Sequence, residues 1–222
     1  FPIFKNHFLI MTTDHIPERN RSTQNILHND KYVLNDMIEL YNLFQNKGTL
    51  YFNHLIGNSQ FHFHFQYTTE NIPIKEILYE TNELSFEKYE TKLKNNIYIM
   101  SNTKNKNCLN FLLFYGSISK IGKDMFKFLK IITKQKYIYN ILIIPNKNKD
   151  DNGKMITAII IVRKKLKEKN IFDFNLGATG IGGLYVTTKY KKYIDKKLIN
   201  DLKKYCKSTV VSINKKLIQN LI

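Results

Sequence analysis

The chain has 222 residues with 35 Lys plus Arg against 18 Asp plus Glu, which gives a formal net charge of +17. Its 43% hydrophobic and 13% aromatic residues exclude a disordered chain, and no apolar run reaches the ~18 residues that a membrane-spanning helix needs. The length allows one sizeable core or two small related halves. The positive field favours polyphosphates or nucleic acid as partners. The chain is also rich in Asn, Ile and Tyr beside Lys, and an AT-rich coding sequence would by itself produce such a composition, so part of the charge can have that origin.

The two cysteines, Cys108 and Cys206, have neither the spacing of a metal site nor the number of a disulfide framework. We therefore expect ordinary thiols in a reducing compartment, so that the protein is intracellular, either cytoplasmic or nuclear, without membrane contact. Because the chain begins at Phe1 and not at Met, we expect a fragment or missing first residues, with which a leader could have been lost.

The first predicted elements are a strand and a helix. Residues 7–13 favour a strand, which the turn-forming residues 14–17 end. Asn29 or Asp30 can cap a helix, because the apolar residues that follow have the helical period. These apolar residues are Leu34, Met37, Ile38, Tyr41 and Phe44.

Two strands with a turn between them follow the helix. Residues 49–55 and 59–68 favour strands, and residues 56–58 favour the turn. The second strand alternates between two sets of side chains that point to opposite faces. The sets are Phe61, Phe63, Phe65 and Tyr67 on one face, and His62, His64 and Gln66 on the other. The aromatic set can lock the strand into a core, and the other set then presents two imidazoles and an amide in a row.

The second part of the chain repeats the order of helix, strand, turn and strand. This order occurs over residues 31–68 and again over residues 123–163, after an Asn- and Lys-rich run at 94–107 without a predicted element. All six histidines lie within the first 64 residues, so histidine chemistry is confined to the first copy. The further predicted elements are strands at 109–115, 137–145 and 155–163 and helices at 123–134 and 195–208.

The segment 57–66, Gly-Asn-Ser-Gln-Phe-His-Phe-His-Phe-Gln, resembles the active-site segment of the histidine triad superfamily. It is most similar to the branch with Gln in the third place, which contains galactose-1-phosphate uridylyltransferase, ATP adenylyltransferase and GDP-L-galactose phosphorylase. The opening segment 1–10 is also similar to the strand before the first helix of that branch. The pattern of the branch falls here on Asn53, Gly57, Ser59, His62, His64 and Gln66.

This resemblance implies an α+β fold, an antiparallel sheet with packed helices built from two related halves. The first half, residues 1–107, would carry the His-x-His-x-Gln motif, and the second, residues 108–222, would lack catalytic histidines. The activity implied is nucleotidyl transfer or phosphorolysis on a nucleoside di- or polyphosphate compound, through a covalent nucleotidyl-histidine and without a metal or cofactor. The substrate would be a nucleotide or a nucleotide sugar.

The resemblance also implies a role for each residue of the motif. His64 would attack the α-phosphorus as a neutral imidazole, and His62 would orient the site. Gln66 would donate its amide N–H to the phosphate, and because it cannot titrate, the acceptor is expected to be a phosphate and not water. Four residues would bind the substrate phosphates: Asn53, Gly57, Asn58 and Ser59.

Other interpretations of the motif stay open. A catalytically degenerate protein of the same fold would bind nucleotide or nucleic acid, or serve in an assembly, and a homodimer is open in either case. The chain has His54 after Asn53 and Phe61 before the first motif histidine, where the branch usually has a small residue and Pro. A zinc site would need His62 and His64 with one more ligand. The candidates for that ligand are His7, His54 and Asp14.

Several residues outside the motif favour ordinary structural roles. His7 and His15 are expected to be structural or loop-facing, with a pocket role as the alternative. The Gly-rich segment 177–183 matches neither the dinucleotide fingerprint nor the P-loop and favours a turn. Arg163 and Lys164 are expected to form a solvated strand end. The Lys-rich segment 189–197 favours a solvated helix start, with a phosphate-backbone patch as the alternative.

Overall fold

The computed structural model describes residues 6–11, 27, 29–44, 47–55, 63–75, 90–94, 97–101, 110–145, 155–164, 176–183, 196–211 and 213. The strands are β1 His7–Met11, β2 Thr49–Asn53, β3 His64–Thr68, β4 Glu90–Lys94, β5 Ile97–Ser101, β6 Asn110–Ser117, β7 Ile138–Pro145 and β8 Met155–Arg163. The helices are α1 Lys31–Leu43, α2 Ile118–Lys134, α3 Ala178–Ile181 and α4 Lys196–Thr209.

The strands form one eight-stranded sheet in the order β1-β3-β2-β7-β8-β6-β5-β4. Every pairing between neighbours is antiparallel. We call the face of the sheet that α1 and α2 cover the back face, and the opposite face the front face. The predicted α+β class, an antiparallel sheet with packed helices, is confirmed. Within the described residues, none of the helices has both the length and the apolar character that crossing a bilayer requires.

The sheet contains the same connection twice. The orders β1-α1-β2-β3 and β6-α2-β7-β8 place their strands symmetrically about the antiparallel pair β2–β7. One row of cross-strand neighbours on the front face shows how the copies differ. The row runs Leu9, Gln66, Tyr51, Leu142, Ile159 and Leu113. Its central polar residues belong to the first copy, and the second copy is apolar there. The division at residue 107 stays a prediction, and β5 and β6 on its two sides are paired in the sheet.

The main core lies between the back face and the helices α1 and α2. Asp30 caps α1, and its Oδ1 accepts a hydrogen bond from the Tyr32 N–H at 2.8 Å, as predicted. The predicted start of the next helix at residue 123 is wrong, because α2 begins at Ile118. The sequence pattern places the start too late because Gly122, a residue type that disfavours helices, lies in the first turns of α2. A Cβ at Gly122 would lie 2.5 Å from Asn35 Oδ1, so the close approach of α1 favours glycine inside a helix that glycine otherwise disfavours.

Two other elements differ from the sequence predictions. β5 lies inside the Asn- and Lys-rich run to which no element was assigned, and it pairs with both β4 and β6. Pairing on both sides supplies the backbone hydrogen bonds that the local composition does not suggest. The Gly-rich segment forms the short helix α3, followed by Gly183 with a φ of +102°, instead of a simple turn.

Candidate active site

The front face of the first copy brings polar side chains from three neighbouring strands together. β3 lies between β1 and β2, and the backbone of Gln66 is opposite Leu9 on one side and Tyr51 on the other. The alternation predicted for this strand is confirmed for the described residues. Phe63 and Phe65 belong to the back-face core with their rings 4.8 Å apart, while His64 and Gln66 point to the front.

Three polar atoms meet in a closed hydrogen-bonded triangle. The Tyr51 hydroxyl donates to Gln66 Oε1 at 3.0 Å. His7 Nε2 lies 3.0 Å from Gln66 Oε1 and 3.0 Å from the Tyr51 hydroxyl oxygen. Because a carboxamide oxygen only accepts, a proton on His7 Nε2 satisfies all three contacts. His7 and Tyr51 therefore hold the oxygen of Gln66 on their side of the strand.

The fixed oxygen of Gln66 determines where its amide nitrogen points. Gln66 Nε2 faces His64 Nε2 at 3.5 Å. An amide nitrogen donates and does not accept, so this contact is a hydrogen bond when His64 Nε2 presents its lone pair and the ring proton is on Nδ1. This is the tautomer in which Nε2 can act as a nucleophile. The long distance of 3.5 Å marks this contact as a weak hydrogen bond.

The ionisation of the triangle favours neutral groups near pH 7. Burial lowers the pKa of His7, and its hydrogen bond to Gln66 opposes that effect. Burial also raises the pKa of Tyr51, which keeps the phenol protonated as a donor to Gln66. The triangle is therefore a neutral clamp on the Gln66 carboxamide, and its arrangement persists across the neutral pH range.

The lowered pKa of His7 predicts a pH dependence of stability. The unfolded state takes up a proton on His7 more readily than the folded state, so the stability that His7 contributes is present at neutral pH and is lost as the pH falls below about 6.5. Between about pH 7 and about pH 5, urea denaturation should show a larger fall in the free energy of unfolding for the natural chain than for His7→Asn. An equal fall in both proteins would contradict the prediction.

Asn53 is held by a second hydrogen-bond chain from the other half of the sheet. Its Oδ1 accepts from Asn140 Nδ2 at 2.9 Å and from the Ala178 N–H at 2.7 Å. Asn140 Oδ1 in turn accepts from Arg163 Nη1 at 3.0 Å. A Cβ at Gly177 would lie 2.9 Å from both polar atoms of the Asn53 carboxamide, so residue 177 has to be glycine for Asn53 to keep this position. With its oxygen occupied, the donor side of Asn53 is Nδ2.

Arg163 is the structural centre of this second chain. The expectation of a solvated strand end is wrong for Arg163, whose side chain is fully buried, although Lys164 is exposed. Its guanidinium donates to Asn140, to the Leu176 carbonyl at 2.6 Å and to the Tyr205 hydroxyl at 2.7 Å. Burial lowers the pKa of Arg163. Neutral oxygens thus solvate a buried cation, which makes each of them important for stability.

Removing one of these acceptors predicts a measurable loss of stability. Tyr205→Phe deletes the hydroxyl that accepts from Arg163 and from the Leu176 N–H, which leaves one buried and one half-buried donor unsatisfied. We expect the free energy of unfolding, measured by urea denaturation, to fall by about 1–3 kcal/mol. Tyr32→Phe is the matched control, because Tyr32 is 67% exposed, and it should change stability by less than about 0.5 kcal/mol. Equal effects of the two substitutions would contradict this description of Arg163.

The remaining residues of the sequence prediction divide into two groups. His62, Ser59, Gly57 and Asn58 lie outside the described residues, as do His15 and Asp14, so their roles stay predictions. His54 is buried at the end of β2, and its ring stacks on Tyr139 with centroids 4.4 Å apart. Among the described residues, no three His, Cys, Asp or Glu side chains converge as metal ligands.

Sequence reasoning assigns no role to Tyr51, and for His7 it favours a structural or loop-facing role with a pocket role as the alternative. A signal for Tyr51 was present, because it lies two residues before Asn53 and therefore on the same face of its strand. No local signal identifies His7, since its contact with Gln66 depends on the pairing of β1 with β3. Long-range register, and not composition, brings these two residues to the motif.

The exposure of the site changes sharply across β1 and β3. His64 is 2% exposed and Gln66 is 6% exposed. Their cross-strand neighbours on the edge strand, Met11 and Leu9, are 47% and 44% exposed. The imidazole and amide therefore lie beside an exposed apolar strip. In this structure the side chains of His64 and Gln66 are almost completely closed off from solvent.

Comparison with known proteins gives one distant likeness. No family model matches the chain, and no curated protein matches it. Among solved structures, a DUF4931 family protein from Bacillus cereus is similar, at 15% sequence identity and a TM-score of 0.45. The likeness covers 93% of this chain and 91% of that chain. So distant a likeness assigns no function to the protein.

Proposed function

We propose that the protein catalyses nucleotidyl transfer or phosphorolysis on a nucleoside di- or polyphosphate compound, with a covalent nucleotidyl intermediate on His64. The observation that supports this proposal is the contact of Gln66 Nε2 with His64 Nε2, fixed from behind by Tyr51 and His7. The resemblance of the motif to the Gln-containing branch of the histidine triad superfamily supports it as well. The base, the sugar and the acceptor stay unassigned.

The first step would form the intermediate. His64 Nε2 attacks the α-phosphorus with its lone pair, the P–N bond forms, and the P–O bond to the leaving group breaks. The leaving oxygen takes the bonding electron pair and departs as a phosphate anion. As negative charge builds on the non-bridging oxygens, the Gln66 amide leaves His64 and donates to one of them.

The second step would return the site to its first state. An oxygen of an acceptor phosphate attacks the same phosphorus, and the P–N bond breaks. His64 Nε2 regains its lone pair, and Nδ1 keeps its proton through both steps. A titrating residue in place of Gln66 could activate water by taking a proton, whereas a carboxamide cannot. The amide therefore favours an acceptor that is already ionised, such as phosphate.

The hydrogen bonds of Asn53 fit a supporting role. Because Asn140 and Ala178 occupy its oxygen, Asn53 would contribute the Nδ2 donor to a phosphate oxygen. His62 would orient the site, and Ser59 with the backbone amides of Gly57 and Asn58 would hold the neighbouring phosphate. These last assignments rest on the sequence pattern alone.

The burial of the motif supports a second candidate function. His64 and Gln66 are 2% and 6% exposed, as expected for a degenerate protein of the same fold whose former site is packed shut. Such a protein would bind nucleotide or nucleic acid, or serve in an assembly, without turnover. The two candidates differ in whether a phosphate compound ever reaches His64.

A substrate panel separates the two functions. The full chain is incubated with nucleotide sugars, diadenosine polyphosphates and nucleoside triphosphates, each with radiolabelled inorganic phosphate as acceptor. Transfer of the label into a nucleoside diphosphate supports the enzyme and names its substrate. Binding of a panel member with neither label transfer nor a nucleotidyl adduct on the protein supports the degenerate protein, and transfer that survives His64→Asn excludes His64 as the nucleophile.

A further inference from the structure

The exposed side of α2 carries a continuous row of lysines. The row, which we call the lysine row, consists of Lys120, Lys123, Lys127, Lys130 and Lys134, and all five side chains are exposed. Their separations alternate between three and four residues, so at about 100° per residue they fall within an arc of roughly 80°. No other residue type of α2 lies inside that arc.

The opposite side of α2 fixes the lysine row in place. The buried residues of the helix are Ile121, Gly122, Met125, Phe128, Leu129 and Ile132. They pack into the back-face core, so α2 cannot rotate to bring other side chains outward. The large exposed hydrophobic residues among the described ones all lie on other elements. The fully exposed positions of α2 thus carry no large apolar side chain, while Ile118, Phe126 and Ile131 are half-buried.

The charge of the lysine row is not neutralised within its own helix. Asp124 is the sole acidic residue of α2, so five lysines less one carboxylate leave a charge of +4 on 17 residues. The described residues contain no ion pair to these five ammonium groups, and Lys130 Nζ lies 4.8 Å from the centroid of the Phe126 ring. A linear, uncompensated array of cations is what a linear polyanion requires of its partner.

We propose that the lysine row binds the phosphate backbone of a nucleic acid, without reading its base sequence. The row spans about 21 Å at 1.5 Å per residue. One strand of a duplex presents a phosphate about every 3.4 Å along the axis, so roughly six phosphates lie within reach of the row. A lipid surface fits less well, because binding to a membrane interface also needs an exposed apolar stripe, and the apolar side chains of α2 are buried or half-buried.

This surface is separate from the candidate active site. α2 covers the back face of the sheet, whereas His7, Tyr51, His64 and Gln66 lie on the front face. Binding through the lysine row therefore does not depend on turnover at His64. A chain without nucleotidyltransferase activity would still bind nucleic acid. A chain without the lysine row would likewise keep its activity at His64.

The experiment measures the salt dependence of binding to a fluorescein-labelled DNA duplex of about 20 base pairs of mixed sequence. Five phosphate contacts predict a slope of log K against log salt of about −4.5. The triple variant K123Q/K127Q/K130Q should weaken binding by about 10-fold or more and reduce the magnitude of the slope by about 2.7. Glutamine is a good helix former, so α2 should stay folded, which the unfolding midpoint checks.

A variant of α4 with the same change in charge is the matched control. Lys203, Lys204 and Lys207 are exposed, and K203Q/K204Q/K207Q also removes three positive charges. In this control the slope of log K against log salt should keep more than about half of the magnitude that the natural chain shows. Equal weakening by the two triple variants would overturn the proposal, because net charge alone would then explain binding.

Vesicles and a second duplex sequence complete the test. The natural chain should bind the second duplex with similar affinity, since contacts to phosphates carry no sequence information. Vesicles rich in phosphatidylserine should bind the natural chain more weakly than the duplex does at equal salt. Duplex binding that is unchanged in K123Q/K127Q/K130Q, or vesicle binding that alone depends on those lysines, would overturn the proposal.

Discussion

His64→Asn should abolish both turnover and the covalent adduct, once the substrate panel has identified a substrate. The substitution removes the Nε2 lone pair that the proposed first step requires. We expect the rate of label transfer to fall by about 1,000-fold or more, because the other described imidazole of the site, that of His7, is engaged by Gln66 Oε1 and the Tyr51 hydroxyl. The measurement is label transfer under saturating substrate, together with the intact mass of the protein.

The matched control for this variant is His54→Asn. His54 is also a buried histidine, but its ring stacks on Tyr139 and takes no part in the contacts to Gln66. It should keep the adduct, with any change in activity explained by its unfolding midpoint. Full transfer activity in a folded His64→Asn protein would exclude His64 as the nucleophile.

Gln66→Glu should be nearly as damaging, although it alters only one terminal group. Glutamate keeps the size of the side chain, but both of its terminal atoms accept hydrogen bonds. The group facing His64 then favours a proton on Nε2, so the nucleophilic lone pair moves away from the phosphate. A carboxylate also repels the charge that builds on the phosphate. Together these effects should lower the transfer rate by about 100- to 1,000-fold.

Tyr51→Phe provides a graded comparison for Gln66→Glu. It removes one of the two groups that hold Gln66 Oε1 and leaves His7 in place. The donor and the nucleophile both survive, so the rate should fall by less than in Gln66→Glu and the adduct should still form. If Gln66→Glu were as active as the natural chain, the amide would have no role in transfer.

The fold of this protein was largely predictable from local patterns. β8 has the predicted bounds, and α1 is capped by Asp30, one of the two predicted candidates, because alternation and capping are properties of neighbouring residues. α2 and β5 deviate because a tertiary contact overrides local preference in each case. Gly122 admits the close approach of α1, and β5 gains its hydrogen bonds from strands on both sides.

The candidate site was predictable only along its own strand. Alternation within β3 places His64 and Gln66 on one face without any knowledge of the rest of the sheet. Tyr51 and His7 reach Gln66 through the pairings of β2 and β1, which sequence spacing does not encode. Arg163 was assigned to solvent because a cation at a strand end usually is solvated. Here the hydroxyl of Tyr205 and the amide of Asn140 replace water.

The most direct test of the proposed mechanism is to locate the covalent bond. The natural chain is mixed with its substrate without an acceptor, digested at alkaline pH, where a phosphorus–nitrogen bond to histidine survives, and sequenced by mass spectrometry. We expect a nucleotidyl group on His64 that is lost on addition of phosphate and is absent from Gln66→Glu at short times. A nucleotidyl group on another residue, or turnover without any adduct on His64, would contradict it.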